Sequence, residues 1–144
     1  MGLVGVAELK RQVCEAVDAM RPELLRLSRA IHAKPELAFE EHAAQKLLVD
    51  AVRKAGHDVE PGAYGLETAF ASEFGPGGAC VAVLAEYDAL PEIGHACGHN
   101  LSGPASLLAA SALTAALPED ALSLVVVGSP AEELGIGKRR LVAA

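Results

Sequence analysis

Leu84-Ala85-Glu86-Tyr87-Asp88-Ala89-Leu90-Pro91-Glu92-Ile93-Gly94-His95-Ala96-Cys97-Gly98-His99-Asn100-Leu101-Ser102 is the stretch that decides the fold. An apolar run from Ala79 to Ala85 leads into it and reads as a strand covered on both faces. Glu86 and Asp88 stand at its end, a loop punctuated by Pro91 and Gly94 follows, and His95, Cys97 and His99 then fall within five residues. From Ser102 to Leu117 the chain is rich in Ala and Leu and reads as a helix that stops at Pro118. Two carboxylates, a thiol and two imidazoles thus gather between a strand and a helix, where ligands collect in open α/β sheets.

Downstream, Leu122 to Val127 reads as a second buried strand, released by Gly128-Ser129-Pro130 into Glu132-Glu133. Strand, loop, helix, strand is a βαβ unit, which predicts parallel strands joined by a right-handed crossover. Parallel strands leave a sheet at the same edge. The Glu86–His99 loop and the Glu132-Glu133 pair should therefore emerge side by side, although more than thirty residues separate His99 from Glu132.

Upstream, Leu9, Val13, Val17, Met20, Leu24, Leu27 and Ile31 recur at helical steps, predicting an amphipathic helix from Glu8 to Ala33. Pro22 interrupts this stripe and predicts a kink or a fresh start, and Pro35 ends it by pushing Lys34 out of helical geometry. A second helix is predicted from about Glu40 to Ala55, with Ala44, Leu47, Leu48, Ala51 and Val52 inward and Gly56 as its stop. Between Val59 and Ala71, Gly62 and Gly65 suggest a short strand, a turn and a second strand near Glu67 to Ala71. Gly75-Pro76-Gly77-Gly78 reads as a turn, and Gly137 to Ala144 as the opening of another helix that simply stops.

Composition narrows the function. A chain of 144 residues, 51% hydrophobic and 22% charged, suits one globular core. A net charge of −7 and an aromatic share of 3% argue against nucleic-acid binding, which needs clustered cations and stacking surfaces. Lys138-Arg139-Arg140 reads as a solvated helix face, and Glu40-Glu41 as a solvated helix start. Cys14, Cys80 and Cys97 are odd in number and lack framework spacing, so free thiols in a reducing compartment are expected. The first residues lack the basic region of a signal peptide and no window reaches a membrane span; a cytoplasmic protein without membrane contact is the expectation.

Thiolate and imidazole suit a borderline metal such as zinc, and Cys-X-His spacing can turn both groups to one side of a turn. The same motif also fits a buried cysteine flanked by two hydrogen-bonding histidines. Glu132-Glu133 adds weight to the metal reading, because adjacent carboxylates at a strand tip repel unless a cation lies between them or they point apart. One of the pair can bind the metal while the other serves as general base. Asp88 can hold an imidazole in orientation. Glu86 is a further ligand or mere strand-end polarity, and His95 reads as a hydrogen-bonding loop residue. His32, His42 and His57 have no acidic partners in sequence and read as structural. Neither a Gly-X-Ser-X-Gly elbow nor a phosphate-binding loop is present, and a thiol catalyst at Cys97 is a remote alternative.

Glu86-Tyr87-Asp88-Ala89-Leu90-Pro91, Gly94-His95-Ala96-Cys97-Gly98-His99-Asn100 and Gly128-Ser129-Pro130-Ala131-Glu132-Glu133 resemble the peptidase M20 amidohydrolases. The branch with aminobenzoyl-glutamate hydrolases and M20-domain dipeptidases is the nearest in kind. Leu27 to Glu41 is similar to that family's N-terminal helix and His-X-X-Pro-Glu-Leu segment. The resemblance implies an α/β fold, with helices on a mostly parallel sheet in a zinc-exopeptidase-like catalytic domain. Residues 1–144 would be its N-terminal portion, without the lid and dimerisation domain. It implies a hydrolase that uses two zinc or manganese ions to cleave an amide or peptide bond in a small N-acyl amino acid or dipeptide. Cys97 would bridge the metals, His99 and Glu133 would be ligands, Glu132 the base that activates the bridging water, and Asp88 an orienting group. No histidine follows His99, so the family's later metal-binding histidines are missing. The alternative is a truncated, inactive chain acting at most as a binding module. A homo-oligomer is a further expectation, since an incomplete sheet exposes apolar edges.

Overall fold

The computed structural model describes residues 5–75, 79–117 and 122–144. Helix α1 spans Val6–Ala33 and α2 spans His42–Lys54. Strands β1 (Glu60–Pro61), β2 (Phe70–Phe74) and β3 (Ala79–Glu86) follow. Helix α3 is His99–Ala116, β4 is Leu122–Ser129 and α4 is Gly137–Ala143. The spatial strand order is β1-β2-β4-β3.

Chain reversals follow the predicted punctuation. Lys34 leaves helical geometry just before Pro35. After α2, Gly56 takes φ +90°; its N–H reaches Arg53 O and the His57 N–H reaches Val52 O, which closes the helix end. At Pro22, α1 remains a single helix, not two. Pro22 is exposed, so the carbonyl it leaves without a partner can turn to water.

The parallel pair holds: β3 runs beside β4 in register from Ala79↔Leu122 to Glu86↔Ser129. β2 pairs with the other side of β4 antiparallel, as β1 does with β2, so the sheet is mixed rather than mostly parallel. β2 also lies a few residues later than expected, at Phe70–Phe74. Phe70 and Phe74 are fully buried there, whereas Glu67 at the predicted start is exposed. The turn at Gly75-Pro76-Gly77-Gly78 and the stop at Pro118 fall largely outside the described residues.

β2 and β4 are the inner strands, and Leu124 and Val126 of β4 join Phe70, Phe74, Ala85 and Tyr87 in the core. Helix α2 adds Ala44, Leu48, Val49 and Val52, and α3 adds Leu107 and Ala110. Register explains a glycine here. Gly128 faces Phe70, and a Cβ at that position would lie 2.1 Å from the ring.

β3 corrects one expectation. It is an edge strand, and Val81 and Leu84 remain 47% and 42% exposed. A continuous apolar run reports that a strand is apolar on both faces; it does not report what covers it. Helix α3 nevertheless packs closely on the tip of β3. A Cβ on Gly103 would stand 2.5 Å from the Glu86 carbonyl oxygen, so helix and strand backbones meet there with no room for a side chain.

Candidate metal centre

The two parallel strand tips bring their following residues together as the βαβ geometry requires. After β3, Asp88 is buried with its side chain fully inaccessible. Its Oδ1 accepts the His99 Nδ1–H at 2.9 Å, and its backbone oxygen lies 3.1 Å from the same nitrogen. Two acceptor oxygens on Nδ1 place the proton there, leaving the lone pair of Nε2 facing out. Asp88 Oδ2 accepts the backbone N–H of Glu133 at 2.9 Å. One carboxylate thus fixes an imidazole and the main chain of the opposite loop together.

Around His99 Nε2 lie Glu86 Oε2 at 3.5 Å, Glu133 Oε1 at 3.7 Å and Glu132 Oε2 at 3.8 Å. One ligand atom each from His99, Glu132 and Glu133 lies within 4.8 Å of the others, close enough to share one cation. The exposed Cys97 thiol stands beside Glu133, whose carboxylate, with some burial, raises the thiol above its ordinary value. A cation would reverse that effect, since a bound metal favours the thiolate. An imidazole with a free lone pair, two carboxylates and an adjacent thiol form a donor set that fits zinc or a similar divalent ion.

Of the expected residues, His99, Glu132 and Glu133 cluster with Asp88 beneath them, whereas Cys97, expected to bridge the metals, is exposed beside Glu133 and lies outside that set. Glu86 approaches the same imidazole nitrogen, at 3.5 Å, from outside that set. His95 does not join it. Both its ring nitrogens are buried without a hydrogen-bond partner among the described residues, burial lowers its proton affinity, and its ring lies 6.3 Å from that of His32. His42, expected to lack acidic neighbours, stands 3.7 Å from Glu40 and 3.9 Å from Glu67 at the surface. All three cysteines are free, as expected.

Sequence reasoning missed three groups. Lys138 is only half solvated and turns its ammonium to the acidic cluster. Its ammonium lies 2.5 Å from Glu86 Oε1 and 3.4 Å from Glu132 Oε1. Burial pulls its proton affinity down, but the two carboxylates outweigh that and hold it above the ordinary lysine value. Glu41, read as solvated, is fully buried. Its Oε1 accepts the Ala131 N–H at 2.9 Å, and burial raises its carboxyl. Glu36 accepts the Ala43 and Ala44 N–H groups at 2.8 and 2.9 Å, so it caps α2 from outside the helix. The available signal was positional. Both glutamates follow Pro35 in a short connection before an apolar helix, where carboxylates find orphan amides.

Among the described residues, no helix is long and apolar enough to cross a membrane. No family model matches the chain. It is 44% identical to the Xaa-Arg dipeptidase of Mus musculus across 94% of its own length and 35% of that protein's. It is 33% identical to a p-aminobenzoyl-glutamate hydrolase chain of Escherichia coli, covering 94% of this chain and 32% of that one. The chain thus spans about a third of the length of the curated relatives it matches. Its fold matches a Bacillus subtilis protein described as a dinuclear metal-binding peptidase from the M20 family. That match has a TM-score of 0.78 at 24% identity, over 88% of this chain and 40% of that one. The likeness in sequence and in fold fits a fragment of an M20 peptidase.

Proposed function

We propose that this chain is the N-terminal portion of a metallohydrolase catalytic domain. The reaction would cleave an amide or peptide bond in a small N-acyl amino acid or dipeptide. The observation that carries the reading is the convergence of Glu132 and Glu133 on His99 Nε2, with Asp88 holding both sides. The dipeptidase and hydrolase names of its relatives support the same class of bond.

His99, Glu133 and Cys97 would hold the ion, zinc or manganese, and two ions would serve the complete enzyme. Once bound, such an ion polarises the scissile carbonyl and lowers the proton affinity of water. Asp88 keeps the proton on His99 Nδ1, so that Nε2 remains a donor to the metal. Glu132, the more exposed of the acidic pair, would take the proton from the attacking water and return it to the leaving nitrogen. Glu133 is anchored through its own backbone N–H and would stay in place while this proton moves. A cytoplasmic setting is part of the proposal, consistent with three free thiols.

One observation favours a second reading, an inactive chain acting at most as a binding module. The Lys138 ammonium already spans Glu86 and Glu132, supplying the charge an ion would otherwise bring. A single experiment separates the two. Zinc titration of the 144-residue chain and of His99→Ala, with turnover of an acylated amino acid, is expected to show one site, lost in the variant, and little turnover. Binding that survives His99→Ala would overturn the site. Full loading with two zinc ions and brisk turnover would show that this portion needs no further ligands.

A further inference from the structure

Among the described residues, Glu41 is the most deeply buried carboxylate outside the cluster itself. Its backbone begins α2, yet its side chain makes no capping bond to that helix. Glu36 supplies the cap instead, which leaves Glu41 free to point elsewhere. It points at Ala131, ninety residues away, and accepts that residue's N–H at 2.9 Å. Ala131 has φ +55°, a left-handed conformation that costs an L-residue about 1–2 kcal/mol unless its surroundings enforce it. Ala131 is fully buried and immediately precedes Glu132-Glu133, so its backbone angle sets the direction in which both carboxylates leave β4.

The same short segment also reaches the other half of the cluster. The Glu36 backbone oxygen accepts the Ala89 N–H at 2.8 Å, one residue beyond Asp88. The turn from Glu36 to Glu41 therefore ties the residue after Asp88 to the residue before Glu132. Asp88 spans the cluster from beneath, and this turn spans it from the side.

We propose that Glu41 is a positioning residue, whose carboxylate holds Ala131 in its left-handed conformation and thereby aims Glu132 and Glu133 at His99. The consequence for metal affinity rests on the metal-holding reading above; the consequence for the backbone does not.

Two measurements on the full 144-residue chain test this: amide hydrogen exchange at Ala131 and Glu133 without metal, and zinc affinity by calorimetry. Glu41→Ala is expected to lose about tenfold or more in Ala131 protection and in zinc affinity, the range typical of groups that orient ligands. Glu41→Gln keeps an oxygen for the Ala131 N–H and should stay within about twofold on both readouts, against that same tenfold scale. Val52→Ala removes an equally buried α2 side chain and controls for general destabilisation. Should Glu41→Ala not fold, Glu41→Asp withdraws the carboxylate by one methylene and should show the intermediate loss. The proposal fails if Ala131 protection survives Glu41→Ala or Glu41→Asp, or if Val52→Ala moves both readouts equally. If zinc binds no variant and not the wild type, the metal reading falls, and the exchange arm still decides the role of Glu41.

Discussion

Asp88→Asn is the sharpest single perturbation of the centre, because it changes a charge and one acceptor while keeping the side-chain shape. The carboxylate accepts two N–H groups, His99 Nδ1–H and Glu133 N–H, each at 2.9 Å. A carboxamide offers one acceptor and one donor. If its oxygen stays on His99, its NH2 faces the Glu133 N–H, and the two donors repel. If it flips, its NH2 faces Nδ1, only the Asp88 backbone oxygen at 3.1 Å still favours the proton there, and the tautomer with Nε2 protonated, where a cation needs a lone pair, gains weight. A buried hydrogen bond to a charged group contributes about 1.5–3 kcal/mol, and leaving a buried donor unpaired costs about 1–3 kcal/mol. These figures describe one event from two sides, so about 2–3 kcal/mol is the whole effect. Expressed in metal affinity, that is about 30- to 150-fold. Calorimetric titration with zinc, beside thermal melts of both proteins, measures it. An Asp88→Asn variant that binds zinc within about threefold of the wild type would refute the arrangement, since neither orientation of the amide permits so small a loss.

Other outcomes follow from the same geometry. Lys138→Met removes a cation that competes for Glu86 and Glu132 and is expected to raise zinc affinity by up to about fivefold, the partly exposed pairs being worth about 1 kcal/mol or less. A fall in affinity would instead mean that Lys138 holds Glu86 in place. For Glu41, burial raises the carboxyl above its ordinary 4.5, so the folded chain binds this proton more tightly than the unfolded chain. The stability it contributes is full below that ordinary value and is lost as pH rises through the folded-state value. Thermal melts across this range should show the wild type declining relative to Glu41→Gln, and parallel profiles would contradict the burial. Gly137→Ala would set a Cβ 1.8 Å from the Pro130 carbonyl oxygen. It should cost about 1–3 kcal/mol in denaturant unfolding as α4 is pushed away, and an unchanged midpoint would show that the turn has slack.

The βαβ core was legible because its signals are local. Leu122 to Val127 is apolar apart from Ser123 and ends in three β-branched valines, the segment after His99 is rich in Ala and Leu, and parallel strands share an exit edge. From these, the meeting of His99 with Glu132 and Glu133 followed before any coordinate. What stayed hidden depends on long-range approach. Glu40-Glu41 reads as one acidic pair, yet Glu41 is buried and Glu40 exposed, a difference decided by a backbone amide ninety residues away. Lys138-Arg139-Arg140 likewise reads as one basic run. A short α4 turns Lys138 into the acidic cluster and sets Arg140 4.6 Å from the centre of the Phe39 ring. The exposure of β3 depends on strand order, and no pattern within a strand encodes which neighbour it acquires.

The close approach of Gly103 to the Glu86 carbonyl has one more implication. Backbone pressed on backbone leaves the first turn of α3 no freedom to slide, so the His99 ring is set in place by the fold itself before any ion arrives. Uptake of a cation should then resemble a key entering a cut lock. The far-UV spectrum should hardly change, and little ordering entropy should oppose the binding heat.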